Sequence, residues 1–246
     1  MMKSLGAALQ FLTVLPIRNS FEAAEIGRSV AFFPIAGALI GGVIAVLDYF
    51  VFSAYFPPAV SAMMAVIALA SASGGLHLDG VADTADGFFS SQPKARILEI
   101  MRDSRIGSMG VLALLAVLGL KAAALAYLPD PQRWRAILLA PTAGRSMLVA
   151  AMTRAPYARP EGGLATVFLE YRKPWHALWA VSLLIVASAT LWGWRGIVLA
   201  ALCVIATAVF NGYARRKIGG ITGDTLGAVC ELVETGILLA ALVVPL

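Results

Sequence analysis

Asp79, Asp83 and Asp86 fall at i, i+4 and i+7 in the run Gly74-Gly-Leu-His-Leu-Asp-Gly-Val-Ala-Asp-Thr-Ala-Asp-Gly87. At roughly 100° per residue, a helix sets Asp83 about 40° to one side of Asp79 and Asp86 about 20° to the other, so three carboxylates share one narrow stripe. Like charges at that spacing destabilise an unliganded helix. A divalent cation removes the repulsion. Hard oxygen donors without a nearby cysteine favour magnesium, or manganese, over zinc. Magnesium keeps several waters and joins carboxylates to substrate phosphates, so the stripe implies a bound diphosphate. A solvated acidic loop is the plainer alternative, against which stand the shared stripe and the flanking glycines.

Two further clusters extend this chemistry. Arg102-Asp-Ser-Arg105 immediately precedes an apolar run. Arginine forks match phosphate oxygens, so Arg102, Ser104 and Arg105 are candidate substrate contacts, with Asp103 a ligand or a brace for Arg105. Gly219-Gly-Ile-Thr-Gly-Asp-Thr-Leu-Gly-Ala228 combines backbone freedom with the start of a helix. Such a segment offers amide N–H groups to an anion, which singles out Thr222 and Gly223. Asp224 is a fourth candidate metal ligand, although it also suits a helix N-cap. His77 is a candidate base or ligand, or a structural histidine. Asp86, at the end of the stripe, is the preferred proton acceptor, with Asp83 and Arg105 completing the catalytic set. Arg145, Glu231 and Glu234 lie within apolar runs, where ionised groups need partners. Arg145 is expected to face either a phosphate or a carboxylate such as Glu234. Lys121 is close enough to the end of its run to snorkel.

The elements that must position these residues are membrane helices. Of the 246 residues, 60% are hydrophobic and 13% charged, with a mean hydropathy of +0.83. A soluble core cannot hide that apolar content. Composition excludes disorder, collagen and a disulfide scaffold, and Cys203 and Cys230 read as small buried hydrophobes. Seven runs approach the length of a spanning helix: 29–50, 58–78, 107–128, 136–153, 175–193, 196–213 and 226–246. The run 136–153 is the weakest, being short and interrupted by Arg145. Pro34, Gly37, Gly41 and Gly42 in the first run predict a close helix contact. The N-terminal stretch predicts an interfacial helix rather than a cleaved leader.

Orientation follows from the basic residues. With the N-terminus in the cytoplasm, 14 of the 19 lysines and arginines fall on inner segments, three on outer loops and two within spans. The expected architecture is an all-α polytopic bundle forming one domain over 1–246, with cytoplasmic loops 79–106, 154–174 and 214–225. The charge of +5 is then a topology signal, not a nucleic-acid footprint.

The three blocks resemble the signatures of a known family. Residues 74–87, Glu99-Ile-Met-Arg-Asp-Ser-Arg-Ile-Gly107 and 219–228, with Phe11-Leu-Thr-Val-Leu-Pro16 and Phe33-Pro-Ile-Ala-Gly37, are similar to the ordered motifs of the cobalamin synthases. The resemblance implies an integral enzyme of the bacterial cytoplasmic membrane, its site facing the cytoplasm. It would join adenosylcobinamide-GDP to α-ribazole or α-ribazole 5′-phosphate, release GMP and require Mg2+. Self-association, or association with late enzymes of the same pathway, stays open. Two other classes compete. Membrane transferases of CDP-alcohols or prenyl diphosphates share the metal–diphosphate logic, but the CDP-alcohol pattern has arginine where this chain has Asp83. A transporter would use Arg145, Glu231 and Glu234 as an ion path, but paired broken helices in matching halves are not seen.

Overall fold

The computed structural model describes residues 2–159, 161–163 and 165–243. Helices dominate: α1 (Met2–Leu12), α2 (Ala23–Arg28), α3 (Phe33–Leu47), α4 (Ser53–Tyr55), α5 (Pro58–Ala72), α6 (Leu76–Phe88), α7 (Lys94–Ile100), α8 (Ser108–Tyr127), α9 (Gln132–Arg154), α10 (Thr166–Glu170), α11 (Pro174–Trp192), α12 (Trp194–Ile218) and α13 (Gly223–Val243). A 3₁₀ turn joins α2 to α3 and a π-helical turn joins α3 to α4, so Ala23–Tyr55 forms one long run. Among the described residues, six runs are long and apolar enough to cross a membrane, and the bent pair α5–α6 supplies a seventh only if counted together. The chain is an all-α polytopic membrane protein.

Helix α9, the weakest candidate by hydropathy, occupies the centre of the bundle. Its most apolar window is 83% buried, against 28% for α8 and α12. A helix shielded by other helices has no lipid to satisfy, so it carries Arg145 and Pro141 that a lipid-facing helix would reject. Helix α3 lies directly against it: a Cβ on Gly37 would stand 2.3 Å from the Pro141 carbonyl oxygen, and one on Gly41 2.5 Å from that of Leu138. Small residues thus bring the two backbones together, as the glycine spacing predicts. Cys203 and Cys230 are free and buried.

The expected span 58–78 is corrected. Helix α5 ends at Ala72, Gly74 and Gly75 follow at φ +60° and +75°, and the chain turns through 91° into α6. That left-handed pair is what glycine supplies at little steric cost. The expected loop 79–106 is therefore largely helical, its aspartates sitting on α6. The expected loop 214–225 shrinks to the residues between α12, which ends at Ile218, and α13, which starts at Gly223. Arg133, which lies outside the expected run 136–153, is buried within α9 and forks onto Asp48 at 2.7 Å through both Nε and Nη2.

Candidate active site

Helix α6 lies across the N-terminal end of α13. A Cβ on Gly80 would stand 2.5 Å from the Asp224 carbonyl oxygen, so only a glycine lets α6 lie that close. The contact brings the acidic face of α6 to the acidic start of α13. Thr222 caps α13: its hydroxyl accepts from the Thr225 amide at 3.2 Å and donates to Asp224 Oδ2 at 3.2 Å. Gly223 follows with nothing near its absent side chain. Arg159 enters from the α9–α10 connection, donating to Asp224 Oδ2 at 2.7 Å. That connection is tied to the glycine-rich loop by Ala158 N–H donating to the Ile221 carbonyl at 2.8 Å. Arg159, within the expected cytoplasmic loop 154–174, is a site residue that its sequence surroundings did not single out.

Two cavities open on this junction, and Asp79 lines both. The larger, about 510 Å³, is bordered by Asp79, Asp83, Arg102, Asp103 and Ser104. Arg102 pairs with Glu161 across two connections. Arg105 is exposed and forks back onto Asp103, with Nη2 to Oδ2 at 2.6 Å, so it does not border that cavity. The Arg105 guanidinium holds the Asp103 carboxyl down at about 2. The smaller cavity, about 170 Å³, runs from Asp79, Asp224 and Arg159 inward to His77 and an aromatic wall.

The stripe of three aspartates divides. Asp79 and Asp83 face the larger cavity, whereas Asp86 turns to α8. Its Oδ2 accepts from the Gly107 amide at 2.7 Å and its Oδ1 from the Gly110 amide at 2.8 Å. A Cβ at either glycine would stand within 2.5 Å of that carboxylate. Asp86 thus caps α8, and both its oxygens are held by amides. That placement leaves it a poor proton acceptor, contrary to its preferred role in the sequence reading.

Arg145 lies apart from both cavities. It is 2% exposed and bonded to Glu234, whose Oε2 receives Lys121 Nζ at 2.6 Å; the same Nζ reaches Glu231 Oε2 at 2.6 Å. Two cations and two carboxylates from α8, α9 and α13 form a neutral buried quartet. Lys121 points inward and does not snorkel.

Hard oxygen donors suited to magnesium converge here. Burial, then the charges of Asp79 and Asp224, push the Asp83 carboxyl up to about 7, so negative charge accumulates beyond what Arg159 offsets. Among the described residues, no three His, Cys, Asp or Glu side chains stand close enough to enclose an ion. That arrangement fits magnesium, which takes one or two carboxylates and completes its shell with water and phosphate oxygen. It does not fit an all-protein cage.

Comparison with known proteins decides the family. The model of the cobalamin-5-phosphate synthase family matches residues 4–242. The chain belongs to that family. Cobalamin-5-phosphate synthase relatives named adenosylcobinamide-GDP ribazoletransferase include one from Roseiflexus sp., 42% identical over 94% of this chain and 85% of its own. Another, from Herpetosiphon aurantiacus, is 40% identical over 99% and 98%. A third, from Desulforamulus reducens, is 39% identical over 97% and 95%. No solved structure matches.

Proposed function

We propose that this chain is the transferase that joins adenosylcobinamide-GDP to α-ribazole, or to α-ribazole 5′-phosphate, in adenosylcobalamin biosynthesis. The observation that carries the reading, beside family membership, is the meeting of two cavities at Asp79, with Asp83, Asp224 and Arg159 beside it. A transfer between two large substrates needs two binding spaces and one charged junction.

In the reaction, the ribazole 3′-hydroxyl oxygen attacks the phosphorus nearer the corrinoid. The diphosphate P–O bond breaks, GMP leaves with the bridging oxygen, and the hydroxyl proton passes to a carboxylate of the junction. One or two of the carboxylates of Asp79, Asp83 and Asp224 would hold Mg2+, which supplies charge neutralisation at the diphosphate when bound. Arg102 stands beside the larger cavity, where its fork can take phosphate oxygens in exchange for Glu161. Ser104 offers a hydroxyl at the same wall. Arg159 steadies Asp224 and is close to the junction.

We place the protein in the bacterial cytoplasmic membrane as a single domain, with the N-terminus and the site on the cytoplasmic side. The distribution of 14 of 19 basic residues on that end supports this orientation. The ion-path alternative loses its groups, because Arg145, Glu231 and Glu234 are paired off with Lys121.

The test is purified protein in detergent with adenosylcobinamide-GDP, α-ribazole and Mg2+, following GMP and corrinoid product together. Equimolar appearance of both is expected. Absence of either product would overturn the assignment, and release of pyrophosphate or CMP from other donors would redirect it to another transferase class.

A further inference from the structure

The smaller cavity has a composition that the transfer chemistry does not require. Its depth is apolar: Phe168 meets Phe11 at a tilt, ring centroids 4.6 Å apart, and Phe33 edge-on at 5.3 Å, and Leu148 and Met152 of α9 line the same space. Its mouth is polar, formed by Asp79, Asp224 and Arg159. Within it stands His77, 2% exposed, with neither ring nitrogen engaged by any group. An unpaired buried polar atom is costly unless something completes it.

These observations point to one ligand shape. Apolar cavities of about 150 Å³ accept a single benzene-sized guest, and 170 Å³ is of that order. A corrin macrocycle is far too large. Guanine is flat, but most of its edge is donors and acceptors, which the Phe, Leu and Met side chains of the depth would leave unpaired, the polar lining being confined to His77, Tyr157 and the charged residues Asp79, Asp224 and Arg159. An apolar bicyclic heteroaromatic base with one free ring nitrogen meets these conditions when its benzenoid ring fills the benzene-sized depth and its second ring lies toward the mouth: the ring faces meet the aromatic wall, and the nitrogen accepts from an imidazole N–H. Its sugar would then lie toward Asp79 and Asp224.

We infer that this cavity is the base pocket for the nucleoside acceptor, with His77 pairing to the ring nitrogen of the base and Phe168 and Leu148 setting its size. The inference rests on the transfer reading above. It divides the site: the nucleoside base goes into the smaller cavity, the corrinoid diphosphate into the larger, and Asp79 stands between.

The test uses the full chain purified in detergent, the variants His77→Leu and Leu148→Phe, and two readouts. Steady-state kinetics give KM for each substrate. Equilibrium dialysis with labelled α-ribazole gives binding without turnover. Each variant is expected to raise KM for α-ribazole at least tenfold, to weaken its binding in proportion, and to leave KM for adenosylcobinamide-GDP within twofold. Leu148→Phe should penalise a dimethylbenzimidazole nucleoside more than an unsubstituted benzimidazole one. A rise in KM for the corrinoid donor instead, or unchanged α-ribazole binding in both variants, would overturn the pocket assignment. Wild-type protein that binds α-ribazole and loses it in the variants, yet makes no GMP, would sink the transfer reading while the pocket stands; failure of the wild type to bind would sink the pocket. If Leu148→Phe does not elute as a folded species, His77→Leu decides alone.

Discussion

Burial and the neighbouring carboxylates set a sign for Asp83. Its carboxyl ordinarily titrates at 3.8 but is pushed up to about 7 in the fold. Between those values the folded chain keeps a proton that the unfolded chain releases, so the stability contributed by this group falls as pH rises through that window. Asparagine has no such charge to carry. In chelator, Asp83→Asn should therefore melt above wild type at pH 8, with the gap narrowing toward pH 5. Its turnover should fall at least tenfold at saturating Mg2+, the loss of a charge-stabilising group commonly costing about 2.7–4 kcal/mol of barrier. A variant that melts below wild type at pH 8 would show that the carboxylate is not crowded. Asp86 should behave in the opposite way. Its carboxylate caps α8, and losing such a cap costs about 0.5–2 kcal/mol. Asp86→Ala should lower the melting temperature while leaving the Mg2+ dependence of turnover unchanged, and a shifted Mg2+ dependence would return Asp86 to the metal. The i, i+4, i+7 spacing was readable as a helical stripe, because helical geometry is local. It could not reveal that Asp86 is taken by amides 21 and 24 residues away, a fact of tertiary packing. The clue, if any, lay in Gly107 and Gly110, whose missing side chains make room for it.

At the scale of elements, hydropathy reads exposure to lipid rather than membership of the bundle. It located α8, α12 and α13 from their apolar runs, and underrated α9 because that helix is sheathed by others. It also ran α5 on into α6, because the two glycines at the turn interrupt neither length nor apolarity enough to register. The charges inside α8, α9 and α13 were visible as residues needing partners, but their pairing was not: Lys121 and Glu231 are 110 positions apart. That pairing makes a prediction about the helices. Removing one member of a buried ion pair leaves its partner uncompensated, at about 3–5 kcal/mol. Lys121→Met should sharply reduce the thermal stability of the detergent-solubilised protein, and adding Glu231→Gln should recover part of the loss. Additive damage in the double variant would mean that the two residues do not share a network.

For the whole molecule, six long apolar runs among the described residues, with the shorter α5 beside them and α6 bent across one end, gather the functional connections on a single side. The starts of α8, α11 and α13 and the ends of α9 and α12 all lie at the end that holds Asp79 and Asp224, and so do the basic stretches around them. Positive residues remain on the cytoplasmic side during insertion, so this end should face the cytoplasm, where the nucleotide substrates are found. Site chemistry and insertion charge then predict the same orientation. Single-cysteine labelling measures it directly, because native Cys203 and Cys230 are buried and should stay silent toward an impermeant maleimide. Gln92→Cys, exposed between α6 and α7, should label in inverted membrane vesicles and not in intact spheroplasts. Asp130→Cys, exposed between α8 and α9, should show the reverse pattern. Labelling of Gln92→Cys from outside would put the carboxylate junction on the wrong face of the membrane for a cytoplasmic nucleotide, and the orientation would have to be inverted whatever the charge count says.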